Sequence, residues 1–368
     1  MKILYGVQGT GNGHISRARA VNKYLRQYKI EVDFLFSGRD REKYFDMDEF
    51  GDWRSHRGLS FVHQAGKLKL TDTLREASLS TLIRDIRKLD LSPYDLVVTD
   101  FEPITAWAAR LRKQTCIGLG HQYAFLHDVP RRGDSFITRS LMKHFAPCST
   151  SLGLHWHHFG QAILPPIAET HSTQDPVEKN KILVYLGFEE VDEVMQYLEK
   201  FSDYKFVYYG PFPEYQRFDH IQLKPLSREG FKYDLATAEG VICNAGFELG
   251  SEAIQLGKKL LVKPLQGQLE QLSNARALEE LGLAMSMDKL DESITRNWLQ
   301  NFSSQKIQYN NVAKAIAEWI AQGGWKIEGS KEALIKALWR HPSTEVVSRE
   351  EPALHETHRS ISEPAQVA

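Results

Sequence analysis

The chain has 368 residues, of which 42% are apolar and 25% charged, with a formal net charge of −1. That length suits two domains that each bury a core, and the balance shows none of the basic excess that marks nucleic-acid binding. Three cysteines (Cys116, Cys148, Cys243) without a CxxC pair argue against a disulfide framework or zinc knuckle, and with no signal-peptide pattern or bilayer-length apolar run the expected compartment is cytoplasmic.

In chain order, the first half alternates short apolar runs with helical patterns. "KILYGV" (2–7), "EVDFLFSG" (31–38), "LSFVHQAG" (59–66), "YDLVVTDF" (94–101), "TCIGLGH" (115–121) and "STSLGLHW" (149–156) read as strands, rich in β-branched and aromatic residues. "ISRARAVNKYLRQY" and "ITAWAARLRKQ" read as helices. The segment 163–180, with Pro165, Pro166 and Pro176 among polar residues, breaks the rhythm as a linker. Strands are then expected at 181–188, 205–210, 221–226, 240–246, 259–265 and 283–287, with helices at 190–202, 229–238, 247–257 and 268–282. The pattern predicts an α/β protein of two tandem Rossmann-like domains, each a doubly wound parallel sheet: 1–165 and 181–325, joined by 166–180. Further helices are expected at 308–322 and within 326–340, and the polar stretch 341–368 reads as a disordered tail.

Behind the first strand stands "GTGNGHISRARAV" (9–21). A dinucleotide fingerprint would need a glycine where His14 stands and an acid where the second strand ends in Ser37 and Gly38. A phosphate-binding loop would need Gly-Lys-Ser/Thr where Gly13, His14 and Ile15 stand. What remains is a turn in which Gly11 and Gly13 let a ligand approach the backbone, opening into a helix N-terminus that carries His14 toward the crevice. A plain tight turn capped by His14 fits the loop equally.

No metal site is expected. Asp46 and Asp48 form a D-x-D in an acidic surface stretch, and His155 and His157 of "HWHH" read as an ordinary pair on one face of a strand, with Trp156 buried opposite.

The second half carries "VICNAGFELGSEAIQLGKKLLVKPLQGQLEQLSNARALEELG" (241–282). A strand ends at Cys243, a small-residue turn follows, and a helix starts near Phe247, so that its N–H groups face the crevice and suit a diphosphate. Glu252 stands about one turn into that helix, placed to accept from ribose hydroxyls. Glu270 and Gln271 open the next helix, a carboxylate beside an amide that suits a hydroxyl-rich ligand.

This stretch resembles the donor-binding half of the GT-B glycosyltransferases, in particular the UDP-glycosyltransferases and the peptidoglycan enzyme MurG. Against their signature, Asn244 stands at the histidine, Gly246 at the glycine and Phe247 at the tryptophan. Glu248 and Leu249 replace Asn and Ser, Glu252 matches the glutamate, and Glu270–Gln271 match the terminal acid–Gln pair. "FEP" after Asp100, "GHQ" at 120–122 and "PPI" at 165–167 look like a bacterial and archaeal MurG-like branch, and the resemblance runs from residue 1 to about 320.

The resemblance implies an inverting, metal-independent transfer of a sugar from a nucleotide-diphosphate donor, UDP-linked, to a hydroxyl acceptor. His14 would be the base and Asp100 its orienter. Gly11, Gly13, Gly187 and the loop and helix residues Asn244, Gly246, Phe247, Glu248, Leu249, Gly250 and Glu252 would hold the donor, with Glu270 and Gln271 on its sugar and 224–231 at the nucleobase. Glu102 and His121 are acceptor-side candidates, and no cofactor is implied. Region 123–145, with Arg131, Arg132, Arg139 and Lys143, reads either as a solvated amphipathic helix or as a peripheral contact with the inner face of the membrane that would admit a lipid-linked acceptor. A nucleotide-sugar binding protein, or an epimerase or hydrolase on the same fold, is the alternative.

Overall fold

The computed structural model describes residues 1–58, 63–64, 67–68, 79–133, 136–170, 173–340 and 343–347. Strands β1 (Lys2–Gln8), β2 (Glu31–Ser37), β3 (Arg54–His56), β6 (Leu96–Asp100), β7 (Cys116–Gly120) and β8 (Thr150–Gly153) form one parallel sheet, while β4 (His63–Gln64) and β5 (Lys67–Leu68) pair separately. The spatial order is β3-β2-β1-β6-β7-β8. Along β1, Ile3, Tyr5 and Val7 join the core on one face, and Leu4 packs with Leu35, Val97 and Ile104 on the other. Both faces are buried, which is why the strand reads as an unbroken apolar run.

Helix α1 (Asn12–Gln27) lies on the first face through Ile15, Ala18, Val21 and Leu25, and α2 (Leu79–Lys88) and α3 (Pro103–Arg112) reach the second through Ile86 and Ile104. Helix α4 (Phe136–Phe145) completes the domain. The sheet's third strand is Arg54–His56, not 59–66. An edge strand with only partly buried residues needs little apolar character, so "RSH" gives no signal. Of 59–66, only 63 and 64 lie within the described residues.

The second sheet has the order β11-β12-β10-β9-β13-β14-β15: β9 (Lys181–Tyr185), β10 (Lys205–Gly210), β11 (Gln216–Phe218), β12 (Ile221–Pro225), β13 (Gly240–Asn244), β14 (Lys259–Lys263) and β15 (Met285–Ser286). Only β11, a short edge strand absent from the sequence reading, runs antiparallel. Its helices are α5 (Val191–Leu198), α6 (Arg228–Thr237), α7 (Phe247–Gln255), α8 (Leu269–Glu280) and α9 (Glu292–Asn301), the last capped by Asp291.

Helix α10 (Val312–Ala321) then crosses back and packs against α1 of the first domain, and α11 (Ser330–Leu338) follows. Trp339 Nε1 donates to the Ile163 carbonyl at 2.7 Å, fastening the end of this segment to the first domain. Residues 343–347, expected in a disordered tail, form strand β17, antiparallel to β16 (Ser304–Gln308). Among the described residues no helix is long and apolar enough to cross a membrane.

Candidate active site

In each sheet the chain leaves its first strand toward one side and later returns to the other. The crevice at such a switch point opens at the strands' carboxyl ends. In the first domain it lies between β1 and β6, and in the second between β9 and β13. The two crevices face each other. Helices α1, α7 and α8 all begin there without a side-chain cap, so their first N–H groups are left to other partners.

His14, in the first turn of α1, and Asp100, the last residue of β6, meet at 2.6 Å between Nδ1 and Oδ1. Asp100 is wholly buried and His14 13% exposed in its side chain. Phe101 takes a left-handed backbone (φ +51°) directly after Asp100, a strain of about 1 kcal/mol. Its ring is held by stacking on Phe145 at 4.9 Å.

Arg17, one turn along α1 and 1% exposed, grips both Asp100 oxygens at 2.6 Å through Nε and Nη2. Burial pushes the Asp100 carboxyl up, but the Arg17 guanidinium and then His14 outweigh it and hold it below the ordinary carboxylate range. An ionised carboxylate only accepts, so the His14 proton lies on Nδ1 and the lone pair on Nε2. Gly120 leaves the room this cluster needs: a Cβ there would stand 3.3 Å from Asp100 Oδ1 and 3.2 Å from Gln122 Oε1.

The second domain closes over this group. Glu248, in the first turn of α7, pairs with Arg17 Nη1. Gln122 Nε2 stands 3.4 Å from His14 Nε2 and donates to Glu270 at 3.0 Å. Beside them a cleft runs between the domains, lined by Asn12, Tyr185, Leu226, Phe231, Leu249 and Glu252 among others. Burial pushes the Glu252 carboxyl up to about 7.

Two kinds of likeness bear on this arrangement. The model of glycosyl transferase family 1 matches residues 1–303. The chain belongs to this family. Among curated proteins none matches it by sequence. Solved structures similar to it include the glycotransferase of kitacinnamycin (14% identity, 92% of this chain and 97% of that one, TM-score 0.57). The glycosyltransferase SnogD from Streptomyces nogalater is similar at 14% identity (92% and 98%, TM-score 0.51), and MurG from Acinetobacter baumannii at 14% (92% and 99%, TM-score 0.50). At such identity these share the fold, which is GT-B. The protein is thus a glycosyltransferase, and its chemistry is transfer of a glycosyl group from a nucleotide sugar to an acceptor.

The glycosyltransferase brings together only part of the site expected from sequence. Gly11 caps α1 through its backbone and Gly246 caps α7, with open space beside Gly187 and Gly246 where a ligand can approach. Gly13 makes room for Glu248, whose Oε2 would stand 2.5 Å from a Cβ at that position. Leu249 and Glu252 line the cleft.

Four other residues serve the protein itself. The Asn244 amide donates to the Lys263 carbonyl at 3.1 Å, and Gln271 Oε1 accepts from the Leu265 N–H at 2.8 Å. Phe247 is buried against His121, with ring centroids 3.9 Å apart and planes nearly parallel. Gly250 packs on Trp156, whose Cζ2 would stand 3.2 Å from a Cβ there. Arg17 and Gln122 were not singled out from sequence.

Neither acceptor-side candidate opens toward a substrate. His121 is wholly buried, with Nδ1 at 2.8 Å from the Leu154 carbonyl and Nε2 at 2.6 Å from Asn274 Oδ1, so it joins the domains. Glu102 is the side-chain cap of α3. It accepts from Ile104 N–H (2.9 Å), Thr105 N–H (2.7 Å), Thr105 Oγ1 (2.7 Å) and Ser37 Oγ (2.6 Å). Four donors thus engage one buried carboxyl within the first domain. Glu102→Ala is expected to lower stability by about 2 kcal/mol, read from the urea midpoint, with catalysis by the folded fraction retained.

His155 and His157 do not share a strand face either, because β8 ends at Gly153. His155 is buried between His121 and Phe159, while His157 is exposed. Arg132 is tied across the domain junction to Asp288 at 2.9 Å, and Arg131 Nη2 donates to the His127 carbonyl at 2.7 Å. Asp46 and Asp48 are exposed.

Proposed function

We propose that this glycosyltransferase inverts the anomeric centre of a UDP-linked sugar, with His14 as base, Asp100 as its orienter and no metal ion. The observation that carries the reading is the 2.6 Å contact between His14 Nδ1 and a buried carboxylate at the mouth of a cleft between two nucleotide-type crevices. His14 Nε2 takes the acceptor hydroxyl proton as the oxygen forms its bond to the anomeric carbon. The bond from that carbon to the diphosphate oxygen breaks, and the nucleoside diphosphate leaves with the electron pair. Asp100 stabilises the imidazolium. The uncapped α7 N-terminus at Gly246 stabilises the departing charge, a task that a metal performs elsewhere. Leu226 and Phe231 suit the nucleobase, and Glu252 the ribose hydroxyls. The acceptor presents a hydroxyl. If it is lipid-linked, membrane contact by 123–145 would rest on exposed residues such as Lys143, since Arg131 and Arg132 are engaged within the protein.

The test is calorimetry against a panel of nucleotide sugars without added metal, for wild type and Glu252→Gln. One donor bound tightly by wild type and at least tenfold more weakly by the variant is the expected result. Binding of no nucleotide sugar would remove the reading.

The state of Glu252 adds a pH dependence. Ribose hydroxyls donate to its ionised form, which is scarce below about pH 7. Affinity for a UDP-sugar, whose diphosphate does not titrate there, is expected to rise up to about tenfold between pH 6 and 8. Glu252→Gln should flatten that rise.

A further inference from the structure

Arg17 has no assigned part in the reaction and Glu248 was expected only to hold the donor, yet the two pair directly across the domain junction. Arg17 Nη2 lies 3.0 Å from His14 Nδ1 as well as 2.6 Å from Asp100 Oδ1. A fixed cation so close disfavours the imidazolium and takes up part of the Asp100 charge that would otherwise favour it. Left at that, Arg17 would weaken the base it helps to position.

Glu248 reverses the effect. It belongs to the donor domain, in the first turn of α7 where a carboxylate is favoured, and it pairs with the third nitrogen of the same guanidinium. The contact is accommodated on the α1 side, because Gly13 leaves the space that Glu248 Oε2 occupies. A glycine inside a helix costs about 1 kcal/mol relative to alanine, and here its missing side chain is what the carboxylate needs.

We propose that Glu248 is a positioning residue for catalysis: brought to Arg17 by closure of the donor domain, it offsets the guanidinium charge and returns to His14 the full influence of Asp100. The set of charges around His14 is therefore complete only when the two domains are together. The other groups facing His14 do not substitute for this control. Gln122 from the 121–126 turn is neutral, and Tyr5 from β1 is buried beside Asp100 and Arg17 with burial pushing its hydroxyl well up, so it stays neutral; Glu270 from α8 is a second carboxylate that acts on Arg17 through space, but its hydrogen bond goes to Gln122 and not to the guanidinium. Glu248 is the carboxylate of the second domain that binds Arg17 directly.

The catalytic meaning of this device rests on the reading of His14 as base, but its electrostatics can be measured without any turnover. The His14 imidazole is followed by NMR titration in wild type, Glu248→Gln and Glu248→Asp, in the protein alone and with saturating UDP. Glu248→Gln keeps the size and an acceptor oxygen for Arg17 and removes only the charge. Its midpoint is expected to move to lower pH by roughly half a unit to one unit, with Glu248→Asp close to wild type. The acid limb of the kcat/KM profile should move with it. Equal midpoints for wild type and Glu248→Gln in both conditions would overturn the proposal, as would a shift of the same size in Glu248→Asp. Retention of transfer by His14→Ala would instead remove the reading of His14 as base, leaving the titration result intact, so the two failures are distinguishable.

Discussion

His14→Ala is expected to lower kcat by about 10²- to 10⁴-fold while leaving nucleotide-sugar affinity within a factor of a few. The ring touches Asp100, Arg17 and Gln122 and keeps 13% of its side chain exposed instead of filling the core, so its removal is expected to cost chemistry more than folding. Asp100→Asn should lose activity on a similar scale. An amide can donate to Nδ1, which would move the imidazole proton to Nε2 and leave no lone pair for the acceptor. Steady-state kinetics with the donor identified by calorimetry checks both variants. A His14→Ala enzyme within threefold of wild-type kcat would exclude the base role.

The second large effect concerns stability. Arg17→Met is expected to lower the free energy of unfolding by about 3–5 kcal/mol, because it leaves the Asp100 carboxylate buried without its strongest partner. The pH dependence should change with it. In wild type the Asp100 carboxyl titrates below its unfolded value, so its contribution is present above the ordinary carboxylate range and is lost as pH falls through the depressed value. Without Arg17 burial prevails and the carboxyl moves upward. Part of the deficit should therefore be recovered in acid, where Asp100 is protonated. Urea unfolding of wild type and Arg17→Met at pH 7 and pH 5 reads this directly: the difference between the two proteins should be smaller at pH 5.

The central strands were legible because β1, β6, β7, β9, β13 and β14 are apolar on both faces, which leaves a dense run in the sequence. The edge strands β3, β11 and β17 have partners on one side only and few apolar residues, and no local pattern marks them. The pair of His14 and Asp100 was legible as a histidine behind a glycine turn and an acid at a strand end. Arg17 was not, because an arginine in "ISRARAV" looks like a solvated helix residue. Its spacing of three from His14, which places both on one helix face, was the available signal. For Glu102 the signal pointed the other way: an acid directly before a proline that opens a helix is a capping pattern, and nearness to Asp100 in sequence obscured it. His121 was misread because a histidine at a strand end can turn outward to the crevice or inward to the opposite domain, and one sequence does not distinguish them.

The return of α10 onto α1 constrains how this enzyme can be recombined with its relatives. A chimera that joins a first domain from one protein to everything after the linker of another would seat a foreign α10 on the native α1, the helix that presents His14 and Arg17. The better exchange has two junctions, one near residue 175 and one just before Val312, so that α10 travels with the helix it covers. The structural unit that positions His14 and Arg17 is therefore discontinuous in the sequence.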